Sequence, residues 1–347
     1  MHVKEADVER NNLHETARAL VAAGKGILAA DESSGTIEKR FRAVEVESTE
    51  EHRRAYRELL FTAPGIDEFI SGVILFDETI RQSSADGTPF PQLLAARGII
   101  AGIKVDKGTK PLALADGETA TEGLDGLRQR FEEYAGLGAR FAKWRAVYSI
   151  GHGRPSEYCI RVNAHALARF AALAQEAGLV PIVEPEVLMD GYHSIQPCLT
   201  ATGRALQALY TELHEQRVDL RGTLLKPNMV LSGTSVVAQA GIEEIVEHTL
   251  SCLYDYVPAA VPGIVFLSGG QSDEQATINL NALNERGPHP WQLSFSYGRA
   301  LQAPVLHTWQ GKPENVAGAQ RALHHRARMN GAARSGTYTA ELERETV

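Results

Sequence analysis

Three observations predict an α/β fold of the (β/α)8 TIM barrel class. Eight short apolar runs recur along the chain, each ending in charged, polar or glycine residues. Helical patterns lie between them. No GxGxxG follows the first run, and eight units suit closure better than an open doubly wound sheet. At 347 residues the chain is long for one domain, but such barrels run long as a single unit. The expectation is one domain over 1–347, with an N-terminal helical extension and a flexible polar tail over about 332–347.

The runs are, in order, GILAADES (26–33), GVILFDET (72–79), GIIAGIKVDKG (98–108) and ARFAKWRAVY (139–148). LVPIVEPEV (179–187), GTLLKPNMV (222–230), GIVFLSGG (263–270) and WQLSFSYGR (291–299) complete the set. Among the helical patterns, RRAYRELLFTA follows the first run. SEYCIRVNAHALARFAALAQEAG precedes the fifth, and its Gly178 sits where a helix C-cap glycine is favoured. CLTATGRALQALYTELHEQ and GIEEIVEHTLSCLYDYV flank the sixth run. SDEQATINLNALNE opens on Ser272, a preferred N-cap residue, and ENVAGAQRALHHRARM comes last. The units share no sequence similarity, so the chain is no solenoid.

Composition narrows the class. Hydrophobic residues make up 44% and charged residues 22%, as in a soluble globular protein. A net charge of -8 and a pI near 5.9 argue against a nucleic-acid partner. Cys159, Cys198 and Cys252 are odd in number and form no CxxC, which fits a reducing compartment. The N-terminus lacks the apolar core of a signal peptide, and no stretch reaches the ~18 apolar residues of a membrane span. The expectation is a cytoplasmic protein with no membrane partner. The histidines show no HxH or HExxH spacing, so neither metal nor other cofactor is expected.

In a barrel the inward strand residues form a packed core and the C-terminal strand ends carry the active site. Polar groups late in the runs are Asp31, Lys104, Lys143 with Arg145, Glu184 with Glu186, Lys226, Ser268 and Arg299. Strand alternation points Lys143 and Arg145 to one face, and likewise Glu184 and Glu186. A structural account would have these groups meet as buried ion pairs, since unpaired burial costs several kcal/mol. That account alone is a poor fit. A core built for stability uses Val, Ile and Leu, yet Lys104, Lys143 and Lys226 sit in these apolar runs, in a chain of only nine lysines.

Lys226 is the expected nucleophile. Burial and a neighbouring cation such as Lys143 each favour the neutral amine of a lysine, which attacks carbonyls. Glu184 would carry protons as the adduct dehydrates, with its carboxyl raised by apolar surroundings. Pro227, which has no N–H, reads as the end of a strand or a bulge. Two regions suit phosphate. FLSGGQSDE sets Ser268, Gly269 and Gly270 before a helix start, and SYGRA adds Gly298 and Arg299. Loops after strands seven and eight commonly hold phosphate in barrels. DESSGTIEKR offers Ser33, Thr36 and Arg40, with Lys104 nearby, although SSGT also suits a simple helix cap.

These motifs, in this order, resemble the class I, Schiff-base, metal-free fructose-bisphosphate aldolases. The resemblance runs from about residue 10 to 338. It rests on GKGILAADESSGTIEKRF, GVILFDETI, GIKVDKG, FAKWRAVYSI, PIVEPEVLMDG, GTLLKPNMVLSG, FLSGGQSDEQATINLNALN and SFSYGRALQA. It implies cleavage of fructose 1,6-bisphosphate, a phosphorylated ketose, in glycolysis and gluconeogenesis, by an enzyme that is usually a homotetramer. By the same resemblance Lys226 is the Schiff-base lysine, Glu184 the proton carrier and Glu186 a residue that tunes its charge. Asp31 handles the C4 hydroxyl, Lys143 stabilises developing charge and Arg145 supports the cluster. Ser268, Gly269, Gly270, Ser296, Gly298 and Arg299 correspond to the 1-phosphate site. Ser33, Thr36, Arg40 and Lys104 correspond to the 6-phosphate site, and Arg53, in EEHRRAYREL, is a further candidate there.

One departure stands out. Animal members end in a tyrosine thought to assist the late proton transfer, whereas here the last tyrosine is Tyr338. Two alternatives stay open on the residues. One is another Schiff-base barrel lyase acting on single-phosphate sugars, which the paired phosphate regions disfavour. The other is a non-catalytic protein on the same fold, which the intact Asp31, Lys143, Glu184 and Lys226 disfavour.

Overall fold

The computed structural model describes the backbone of residues 2–344 and the side chains of residues 11–344. Among the described residues ten strands form: β1 Gly26–Ala30, β2 Ile70–Leu75, β3 Ile100–Lys104, β4 Thr109–Pro111 and β5 Thr119–Thr121. β6 Phe141–Tyr148, β7 Val180–Val187, β8 Leu224–Leu225, β9 Gly263–Phe266 and β10 Gln292–Tyr297 follow. Eight close into a barrel in the order β1, β10, β9, β8, β7, β6, β3, β2, with parallel pairing. Each apolar run supplies one barrel strand. β4 and β5 form an antiparallel hairpin outside the barrel, which the sequence reading did not anticipate. Each is only three residues long, β4 is exposed and β5 half-buried, and neither is an apolar run, so no hydrophobic pattern marked them.

Strand alternation divides the core in two. Outward residues pack against the helices in one large cluster. Inward residues Ile27, Ile74, Phe141, Ile182, Leu224 and Val265 fill the barrel's interior. Helix His2–Leu20 closes its N-terminal end. Leu13, Ala17 and Leu20 recur at helical spacing, and with Val21 they join this inner cluster. Small residues make room for them. A Cβ at Gly263 would stand 2.6 Å from Val21, and one at Gly102 only 2.3 Å from the Phe141 ring. The bottom of the barrel is thus apolar and full, leaving polar side chains to the opposite end.

Prolines set the strand ends. Lys226 N–H donates to Val183 O at 2.8 Å, so Val183 turns its peptide groups toward β8. Pro181 and Pro185 share that orientation and lack the N–H that would extend the ladder. Pairing of β7 with β8 is accordingly confined to Ile182 with Leu224 and Val183 with Leu225. Beyond it Val187 N–H donates to the Asn228 side chain at 2.9 Å instead. Of the two readings of Pro227, strand end or bulge, the structure shows the strand end, since β8 stops at Leu225.

The helices carry the expected caps. Gly178 follows helix Glu157–Glu176 with φ of 73°, and Leu179 N–H closes the turn on Ala174 O at 2.9 Å. Ser272 accepts from Gln275 N–H at 3.1 Å at the start of helix Asp273–Glu285. The last helix, Val316–Arg334, runs past the point where the tail was expected to begin. Beyond it, Tyr338 is 9% exposed, and Glu343 binds Arg326 at 2.6 and 2.8 Å. Among the described residues, no helix is long and apolar enough to cross a membrane.

Candidate active site

Fold and sequence meet at the C-terminal end of the barrel, in a cavity of about 370 Å3. Asp31 follows β1, Lys104 ends β3, and Lys143 with Arg145 lies on β6. Glu184 and Glu186 lie on β7, and Lys226 follows β8. All seven line the cavity, with Ser33, Thr36, Arg40, Ser268, Gly269, Ser296, Gly298 and Arg299.

At its base is a chain of charges. Lys143 Nζ lies 2.8 Å from Asp31 Oδ2 and 2.9 Å from Glu184 Oε2. Lys226 Nζ lies 3.2 Å from the other oxygen of Glu184. Lys143, Glu184 and Lys226 are 3–4% exposed. The parallel register explains how they meet. Glu184 stands opposite Arg145, and Lys143 opposite Ile182. The two inward side chains therefore approach diagonally, one pleat apart. Arg145 itself pairs with Glu186, and Lys104 with Asp106 at 3.4 Å.

This arrangement corrects one expectation. Burial is the largest influence on Glu184 and pushes its carboxyl up, as apolar surroundings should. Lys143, Lys226 and Arg145 together outweigh it, and the carboxyl lies below its ordinary value. Asp31 behaves alike: burial opposes ionisation, but Lys143, Lys226 and Lys104 hold it well below the usual carboxylate range. Lys143 is the counterpart. Burial disfavours its charge, yet Asp31, Glu184 and Asp106 raise it well above an ordinary lysine. The sequence could place these groups late in strands but could not sum their fields.

The anion-binding candidates divide. Ser296 Oγ is buried, lines the cavity, and has no hydrogen-bond partner among the described residues. Gly298 precedes helix Arg299–Trp309, whose first N–H groups have no partner inside the helix. A Cβ at Gly298 would stand 3.3 Å from Ala29 O, a tighter contact than most Cβ atoms make, so a side chain there would crowd the end of β1. Arg299 donates to Gln271 O at 2.8 Å, which ties the Ser268–Gln271 loop to the helix. Gly269 passes over Glu186, where a Cβ would lie 3.0 Å from Oε1. Gly270, at φ of 78°, turns the loop but does not line the cavity.

Ser33 is the N-cap residue of helix Ser34–Arg42, yet its hydroxyl makes no cap bond and meets Thr36 Oγ1 at 3.1 Å. Cap position and cavity lining are thus both true of it. Arg40 pairs with Glu32, and its Nη2 lies 3.8 Å from where a Cβ on Gly298 would stand. Arg53 is the candidate the structure places elsewhere. Its guanidinium makes two bonds to Glu78, at 2.7 and 2.6 Å, and a third to Ser48 O at 2.8 Å. One helical turn further on, Arg57 points inward to Glu32 at 2.8 Å. Sequence reasoning missed Glu32 and Asp106. Both stood inside quoted motifs, AADES and IKVDKG, but nothing in their spacing told them from solvated acids.

Among the described residues, no group of three or more His, Cys, Asp or Glu is placed to hold a metal ion.

Comparison with known proteins agrees with this geometry. The family model described as "Glycolytic: Fructose-bisphosphate aldolase class-I" matches residues 12–347. A probable fructose-bisphosphate aldolase class 1 of Xanthomonas axonopodis pv. citri is 58% identical over 327 residues, 94% of this chain and 98% of that one. Fructose-bisphosphate aldolase 6, cytosolic, of Arabidopsis thaliana is 57% identical over 321 residues, covering 92% and 89%. A co-crystal structure of fructose-bisphosphate aldolase from Plasmodium falciparum superposes with a TM-score of 0.94 at 51% identity, covering 96% of both chains. The eight-stranded barrel, the cluster of charges inside its C-terminal mouth and these full-length matches have one reading: the chain belongs to the class I fructose-bisphosphate aldolase family.

Proposed function

We propose that this protein cleaves fructose 1,6-bisphosphate reversibly to dihydroxyacetone phosphate and glyceraldehyde 3-phosphate through a Schiff base on Lys226, serving glycolysis and gluconeogenesis. The observation that carries the reading is the buried contact of Lys226 Nζ with Glu184, 3.2 Å apart, beside a second lysine. A nucleophile, a proton carrier and a fixed cation thus share one buried site.

The amine of Lys226 attacks the ketone at C2, and Glu184, ionised at rest, takes a proton from that nitrogen and returns it to the carbinolamine hydroxyl, which leaves as water. The iminium then draws electrons from the C3–C4 bond as Asp31, held ionised, accepts the C4 hydroxyl proton. Glyceraldehyde 3-phosphate departs. The enamine takes a proton at C3, by way of Glu184, and water releases dihydroxyacetone phosphate. Lys143 keeps its charge throughout and stabilises the oxygen at which negative charge develops, an effect of a few kcal/mol in such a site. Glu186 and Arg145 pair beside Glu184 and tune its field.

Ser268, Gly269, Ser296, Gly298 and Arg299 form one phosphate rim, with Gly270 shaping its turn. Ser33, Thr36, Arg40 and Lys104 form the other. Holding both phosphates fixes the scissile bond over Lys226, and such positioning is worth ~7–11 kcal/mol. The same reading makes the protein a cytoplasmic homotetramer. Support for these is the membership of the chain in this family.

Borohydride reduction in the presence of dihydroxyacetone phosphate tests the mechanism. Peptide mapping should find the reduced adduct on Lys226, and Lys226→Met should trap nothing. An adduct on Lys104 or Lys143, or none, would refute the assignment. EDTA should leave turnover unchanged.

A further inference from the structure

We propose that Glu32 is a positioning residue that fixes Arg40 on the cavity wall, so that phosphate meets a guanidinium already in place. The inference rests on the aldolase reading above and assigns a function to a buried acid that the cleavage steps do not use.

Glu32 follows Asp31 at the end of β1, and its side chain is 4% exposed. Three donors converge on it. Arg40 Nη1 and Gln302 Nε2, the latter at 2.9 Å, meet Oε1, and Arg57 Nη2 meets Oε2 at 2.8 Å. Gln302 is anchored in turn: Nε2 donates to Ala29 O at 2.8 Å, and Oε1 accepts from Tyr56 O–H at 3.1 Å. Strand β1, helix Glu50–Phe61 and helix Arg299–Trp309 thus fix one carboxylate.

The two arginines are not equivalent. The Arg57 side chain is 3% exposed and does not line the cavity, whereas that of Arg40 is 26% exposed and does. Two guanidiniums on one carboxylate leave surplus positive charge, and Arg40 is the group through which the cavity meets it. A long side chain free on a wall samples many rotamers and loses that freedom when it binds an anion. One already held by a buried carboxylate loses less, so the phosphate binds more tightly. Arg57 and Gln302 keep Glu32 satisfied while Arg40 shares its remaining donors with the ligand.

The test is a double-mutant cycle on the full chain. Glu32→Gln should raise KM for fructose 1,6-bisphosphate about tenfold and leave kcat within about threefold, the pattern of lost binding. Arg40→Ala should raise KM comparably, and in that background Glu32→Gln should add less than about twofold. Competition by inorganic phosphate should weaken in parallel. Because Glu32→Gln strands the buried Arg57, the paired variant Glu32→Gln/Arg57→Gln serves if the single one does not fold. Unchanged KM and phosphate competition in a folded variant, or effects that multiply independently, would overturn the proposal. So would collapse of both variants, since that marks a purely structural acid. Failure of wild-type borohydride trapping would instead sink the Schiff-base reading, while phosphate competition would still report on Glu32.

Discussion

Lys104 and Lys143 are register partners on adjacent strands β3 and β6, both on the inner face of the barrel. Two ammonium groups side by side in a buried site repel strongly unless each is compensated. Each has its own carboxylate: Lys104 pairs with Asp106, and Lys143 bridges Asp31 and Glu184. At the base of the barrel mouth lysines therefore alternate with carboxylates rather than forming a patch of one sign.

Lys143→Met should expose what that match is worth. It leaves Asp31 and Glu184 buried without their shared cation, and breaking such a pair costs ~3–5 kcal/mol. Urea unfolding should show the loss, and it should be smaller at acid pH, where the variant's carboxyls, without that cation, take up protons. A loss that does not change with pH would mean that packing, not charge, dominates at this position.

The pH dependence of stability has opposite signs for the two charge types. Asp31 and Glu184 are depressed in the folded state. Their contribution is present above the unfolded values of ~3.9 and ~4.3 and is lost as pH falls through the lower folded values. Lys143 is raised, so its contribution is complete below an unfolded value of ~10.4 and fades only as pH climbs through its higher folded value. The stability gap between wild type and Asp31→Asn should stay constant over ~pH 6–9 and narrow below ~pH 4. A gap that widens on acidification would contradict the assignment.

Arg53→Ala should leave KM for fructose 1,6-bisphosphate within about twofold of wild type, because Glu78 and Ser48 already hold that guanidinium outside the cavity. Steady-state kinetics decides it, and a tenfold rise in KM would return Arg53 to the phosphate site.

Gly102→Ala tests the packed floor of the barrel. The added methyl would stand 2.3 Å from the Phe141 ring, which is enclosed on all sides. Overpacking of this kind costs ~1–3 kcal/mol, and Phe141→Leu in the same chain should recover part of it. Thermal melts of the single and double variants provide the measurement. Equal stability of wild type and Gly102→Ala would show that the floor yields.

How much was legible from residues alone can be argued position by position. Each of the eight apolar runs became a barrel strand because continuous hydrophobic segments between amphipathic helices have few other ways to be covered on both faces. Lys226 stood out because an ammonium inside GTLLKPNMV has no explanation from core packing, and Pro227 marked a strand end or a bulge beside it. Arg53 and Arg57 illustrate the limit. They lie on one helix four residues apart, and only the position of that helix against β1 decides which reaches Glu32. The hairpin of β4 and β5 escaped notice because two three-residue strands with little apolar content leave no periodic trace.

The sequence by itself determined the closed barrel, the end of it that carries charge, and the residue types gathered there. These follow from local patterning, which each segment carries with it. Only the tertiary structure decided who faces whom: Lys143 between Asp31 and Glu184, Arg40 against Glu32, and Glu184 pulled below rather than above its ordinary value. Electrostatic energies depend on distances between groups far apart in the chain, and those distances exist only once the barrel has closed.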